Sequence, residues 1–101
     1  MQIDVIFPNQ NRHVRHLLGL YINRKRNELG FSAKEIASQV NLSPHAYRRI
    51  EVGKVKINSS LFEKIHSLLF LEIEDLAEIH KIASVKYIND VSKALLENYP
   101  A

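Results

Sequence analysis

The sequence predicts an all-α fold: a five-helix domain with an extra C-terminal helix and a short N-terminal strand or arm. Three observations carry that expectation. Apolar residues recur at helical spacing through most of the 101 residues; two helix-start signals flank a tight turn between residues 32 and 51; and Gly30, Asn41 or a polar loop stands where the periodicity breaks. Length and an apolar content of 46% suit one domain with a modest core.

At the N-terminus, Ile3, Val5 and Phe7 alternate with Gln2, Asp4 and Ile6 as far as Pro8-Asn9, which is strand periodicity. A single strand in a helical chain lacks a partner, so it either crosses to the same strand of a second subunit or forms a mobile arm. Over residues 13–29, Val14, Leu17, Leu18, Tyr21, Ile22 and Leu29 recur at helical spacing, and Gly30 supplies the stop. His13 and His16 stand one turn apart, but no third ligand lies near them in sequence, so no metal site is expected.

Ser32-x-x-Glu35 is a capping box that opens a short helix, with Ile36, Ala37 and Val40 inward and Lys34 and Ser38 outward. Asn41 tolerates the left-handed conformation needed to reverse the chain, Ser43 offers a second cap, and Pro44 suits a first helical position. On the next helix Tyr47 and Ile50 face inward and leave His45, Arg48 and Arg49 outside. This is a helix-turn-helix pattern with a basic second helix. Arg makes bidentate bonds to guanine, and the DNA major groove admits a helix, so His45, Arg48 and Arg49 are candidates to contact bases. Ser32, Lys34 and Ser38 are candidates for phosphates.

After Gly53 a polar loop leads to a helix capped by Asn58 or Ser59, with Leu61, Phe62, Ile65, Leu68 and Leu69 as its stripe. Another begins near Ile73, with acids in its first turn. A last segment, over residues 82–99, places Val85, Ile88, Val91 and Leu95 on one face. That stripe either covers its own core or packs on a second subunit.

Without cysteine, disulfides, thiolate-bound zinc and thiol catalysis are excluded. No apolar run approaches a membrane span and no signal peptide opens the chain, so a cytoplasmic setting without membrane association is expected. The first 58 residues hold ten Lys and Arg against four Asp and Glu, whereas the rest hold four against seven. A polyanion would meet the basic half. No nucleophile with a base, phosphate loop or metal spacing appears, so neither enzyme nor cofactor is expected.

Over residues 17–77 the sequence resembles the lambda-repressor-like, Cro/C1-type (XRE) helix-turn-helix regulators. The resemblance rests on Arg26, Leu29-Gly30-Phe31-Ser32, Glu35-Ile36-Ala37, Ile50-Glu51-Val52-Gly53-Lys54 and the later leucine-rich run from Ile65. It implies a small residue at Ala37 where two helices touch, an ion pair between Arg26 and Glu51, base contacts by His45, Arg48 and Arg49, and phosphate contacts by Lys54 and Lys56. The sequence departs from the pattern in three places: Asn41 stands for the turn glycine, Pro44 replaces a polar DNA-contacting residue, and Phe70 replaces the glycine that ends the fourth helix. The expected organisation is a strand or arm over residues 1–12, the helix-turn-helix DNA-binding domain over 13–80 and an amphipathic dimerisation helix over 81–101, with Phe70, Ile88, Val91 and Leu95 as dimer contacts. The expected function is a repressor that binds double-stranded DNA as a homodimer. The alternative is an antitoxin that binds a toxin protein and its own promoter.

Overall fold

Capping residues and left-handed turns set where each helix begins and ends. In the computed structural model, which describes residues 2–98, six helices follow one another: α1 (Ile3–Ile6), α2 (Arg12–Glu28), α3 (Ala33–Gln39), α4 (Pro44–Glu51), α5 (Ser59–Leu69) and α6 (Ile73–Asn98). Asn11, Ser32, Ser43 and Asn58 cap α2, α3, α4 and α5, each side chain accepting a bond from the backbone N–H three residues on. The Ser32 N–H also donates to Glu35 Oε1 at 3.0 Å, which completes the capping box. Asn41 reverses the chain at φ 58° and Phe70 ends α5 at φ 54°. A bulky side chain in that region costs roughly 1–2 kcal/mol, so Phe70 holds strain where a glycine would hold none.

Helix α2 runs through the middle, packed against α4 and α6 and more lightly against α5. Leu18 and Ile22 of α2 meet Ile36, Tyr47, Phe62 and Leu76 in the core, all almost fully buried. Burying each such side chain contributes about 1.5–3 kcal/mol before the entropy of ordering is subtracted. Leu29, expected on the inner face of its helix, instead caps α2 and is exposed.

The expected N-terminal strand is corrected. No strand occurs among the described residues, and Ile3–Ile6 is a helical turn closed by the Phe7 N–H on the Ile3 carbonyl at 2.7 Å. Ile3 and Phe7 are buried while Val5 is 77% exposed. Residues four apart share a helical face as readily as alternate residues share a strand face, and without a pairing partner the backbone satisfies its bonds locally. The segment packs on α5 and α6, and Asp4 accepts a bond from the Ser59 hydroxyl at 3.2 Å.

The fifth helix and the additional C-terminal helix form one rod. Nothing between Ile79 and Ile82 breaks the periodicity, so the expected boundary at residue 80 falls inside the 26-residue α6, about 39 Å long. The end expected near Tyr99 lies outside the described residues. Leu76, Ile79 and Ala83 seat α6 on the core, and the rod then continues past it, giving the molecule a long dimension of 54 Å.

Candidate nucleic-acid interface

Helices α3 and α4, joined by the Asn41 turn, carry most of the candidate residues. Tyr47, Ile50 and Glu51 face the core from α4, and their burial leaves His45, Arg48 and Arg49 exposed together on one face, at positions i, i+3 and i+4. Lys34 and Ser38, one turn apart, are exposed on α3. Ser32 is exposed at the start of α3, its oxygen accepting the capping bond while its hydroxyl proton stays available to donate. Lys54 and Lys56 project from the loop after α4. Pro44 occupies the first turn of α4, as the sequence suggests, and offers no side-chain donor.

A tight joint to α2 holds the orientation of α4. Gly19 is buried there, and a Cβ on it would lie 2.4 Å from the Glu51 carbonyl oxygen and 2.7 Å from that of Ile50, so only glycine lets the two helices approach this closely. Sequence reading passed over Gly19 because a glycine inside a helical pattern has no local role. Ala37 is likewise fully buried in α3, which packs closely against α4.

Arg26 and Glu51 close the joint from its other side. Arg26 Nε donates to Glu51 Oε2 at 2.7 Å and a second guanidinium nitrogen to Oε1 at 3.1 Å, while the Asn23 amide adds a bond to Oε1 at 2.9 Å. The side chains are 11% and 6% exposed. Burial pushes the Glu51 carboxyl up, but the guanidinium and the Tyr47 and Asn23 side chains push it down by more, and the net result is below the ordinary value. Burial also raises the Tyr47 phenol, and Glu51 raises it further. The same guanidinium donates to the Phe31 carbonyl at 2.9 Å, tying the pair to the start of α3.

The six arginines divide sharply. Arg26 is bound to Glu51, Arg12 to Asp90 at 2.8 Å, Arg24 to Glu28 at 3.6 Å, and Arg15 to two backbone carbonyls. Among the described residues no acidic side chain pairs with Arg48 or Arg49, nor with Lys54 or Lys56. The four arginines of α2 are therefore engaged within the fold, while those of α4 face outward.

The four dimerisation candidates are not brought together. Ile88, Val91 and Leu95 share one face of the distal half of α6, and each is more than 40% exposed. Phe70, 67% exposed, sits at the end of α5, near the start of a helix along which Ile73 and Ile88 are separated by about 22 Å. The core is met instead by Leu76, Ile79 and Ala83, Ile88 borders a cavity shared with Pro8, Asn11 and Val14, and further along α6 Asp90 accepts bonds from Arg12 at 2.8 Å and His13 at 2.6 Å. Those two partners hold the Asp90 carboxyl down to about 2. At its beginning α6 is tied to α2 by Tyr21, whose hydroxyl donates to Asp75 at 2.8 Å and accepts from the Glu72 N–H at 2.9 Å. Burial first, then Asp75, pushes that phenol up to about 12.

Among the described residues no cluster of three His, Asp or Glu could hold a metal, and no helix is long and apolar enough to cross a membrane.

A helix-turn-helix family model matches residues 22–76, more than half of the chain. No curated protein matches the chain by sequence. Among solved structures, the crystal structure of the clp gene regulator ClgR from Corynebacterium glutamicum is similar, with a TM-score of 0.61 and 20% identity over 87% of this chain and 96% of that one. At that identity the likeness is one of fold. The matched span contains α3, α4 and all the exposed cations described on them.

Proposed function

This chain belongs to the Cro/C1-type (XRE) helix-turn-helix family of DNA-binding transcriptional regulators, which are not enzymes, and from that premise we propose that it is a cytoplasmic repressor holding operator DNA as a homodimer. Helix α4 enters the major groove, where Arg48 and Arg49 read guanines and His45 contacts a base edge. Ser32, Lys34, Ser38, Lys54 and Lys56 set position through phosphates, and bound protein excludes polymerase. The observation that supports this most is the division of the arginines, with the only two not engaged within the described fold lying side by side on the exposed face of α4.

One short helix reads too few base pairs to find a single site in a genome, and a dimer doubles the contacts at about 34–36 Å spacing. The distal half of α6 is the surface for it. The bonds from Arg12 and His13 to Asp90 fix the direction of this half, and Ile88, Val91 and Leu95 stay more than 40% exposed along it. Phe70 is a separate exposed aromatic that joins this interface only through a partner long enough to span both.

Selection of bound DNA from a random pool tests the reading. A palindromic consensus with half-sites about one helical turn apart is the expected result; a pool that stays unenriched overturns sequence-specific binding, and a single unrepeated motif overturns the dimer. Ile88→Asp with Leu95→Asp is expected to give a folded monomer by light scattering. The antitoxin reading places a toxin protein on the same stripe instead of a second copy, and a monomeric purified chain that co-purifies with a small basic protein encoded beside it would favour that reading.

A further inference from the structure

We propose that Gln10 and Arg15 are positioning residues for the phosphate-contacting loop, holding the chain between Gly53 and Ile57 at both ends so that Lys54 and Lys56 face DNA from a fixed track. The inference rests on the DNA-binding reading and deepens it. Gln10 is buried, and both ends of its amide engage the main chain of one distant residue: Nε2 donates to the Ile57 carbonyl at 2.7 Å and Oε1 accepts from the Ile57 N–H at 2.8 Å. Arg15 Nε donates to the Gly53 carbonyl at 3.1 Å, and another guanidinium nitrogen donates to the Gln10 carbonyl at 2.8 Å, so one side chain braces the loop and its clamp together. Gly53 itself is left-handed at φ 77° and lies so close to α2 that a Cβ would stand 2.9 Å from the His16 backbone.

A buried side chain that merely filled this space would be apolar. Burying an amide requires desolvating it, and two hydrogen bonds return little net stability, so what the glutamine contributes is a defined position. A loop already ordered loses less conformational entropy when its lysines meet phosphates. Gln10, just before α2, and Arg15, on its first turns, both lie outside residues 22–76.

Phosphate contacts are independent of sequence, so a random-sequence duplex is a sufficient probe. Affinity measured over a salt series gives a slope that falls by about one for each phosphate the protein no longer neutralises. Gln10→Met keeps the bulk and removes both bonds; Arg15→Lys keeps the charge but cannot make the two-pronged bracket. Each is expected to lower the slope by about one to two, against about one for each of Lys54→Ala and Lys56→Ala, while base preference on a selected operator stays unchanged. Melting followed in parallel confirms that the folded form is being titrated, and Arg15→Lys carries the test alone if Gln10→Met does not fold. A lowered melting temperature with an unchanged slope assigns the pair a purely structural role and overturns the proposal. Unchanged slopes in the lysine variants remove the loop from the interface and overturn it too, leaving DNA reading by α4 intact. Absence of salt-dependent binding by the unmodified protein overturns both readings together.

Discussion

Two carboxylates, Glu51 and Asp90, are each held by an arginine of α2, and they do unlike things. Glu51 and Arg26 are nearly sealed from water, whereas the side chains of Asp90 and Arg12 are 46% and 72% exposed. Both carboxyls are held below their ordinary values, the second as far as about 2. Burial is what separates them. An exposed pair is screened by water and salt, while a buried pair cannot lose one member without leaving a charge uncompensated. The joint between α2 and α4 is therefore the firmer of the two, and it sets the direction of α4. The anchor on distal α6 sets a direction for the rod at little cost to change.

The largest expected break in this comparison is Glu51→Ala, which leaves Arg26 buried without its partner and should cost about 3–5 kcal/mol. An unchanged melting temperature would count against the pair as the lock of the joint. Gly19→Ala comes next, because a methyl group meeting two backbone carbonyls forces α4 away from α2, at about 1–3 kcal/mol of overpacking. DNA affinity should fall with it, although no contacting side chain has been altered, and retained affinity would show that the aim of α4 does not depend on this joint. Phe70→Gly should raise stability by about 1 kcal/mol by relieving the left-handed aromatic; a decrease would mean that Phe70 makes contacts worth more than its strain.

The pH dependence sharpens the same contrast. Glu51 is lowered on folding, so its stabilisation is fully present above the unfolded value of about 4.3 and is lost as pH falls through the folded one. Glu51→Gln should flatten the acid limb of the stability curve, and the flattening should persist at high salt. Asp90 shifts in the same direction, with its contribution present above about 3.9 and lost as pH falls toward 2, but added salt should erase it. The smallest expected effect is that of Asp90→Asn, with melting unchanged in high salt. A salt-insensitive loss of stability in Asp90→Asn would make the two sites alike and remove the distinction.

Much of the helix-turn-helix was legible because its signals act over three or four residues. Ser32 and Glu35 cap one another, Asn41 accepts a left-handed turn, and the spacing of Tyr47 and Ile50 leaves His45, Arg48 and Arg49 outside whatever surrounds them. The N-terminal segment was misread for the same reason. Ile3 and Phe7 fit both periodicities, and only what they pack against separates a strand from a helical turn.

Where most of the helices begin and end, and which cations of α4 point outward, can be read along the chain, because caps, turns and amphipathic spacing are local physics. The Arg26–Glu51 pair follows the family resemblance, but the engagement of Arg12 with Asp90, 78 positions away, and of Arg15 with the Gly53 carbonyl depends on the folded arrangement. So do the need for glycine at position 19, the clamp of Gln10 on Ile57 across 47 positions, and the exposure left on the apolar stripe of α6. Each of these depends on a neighbour brought close by folding, and spacing along the chain carries no record of which neighbour that is.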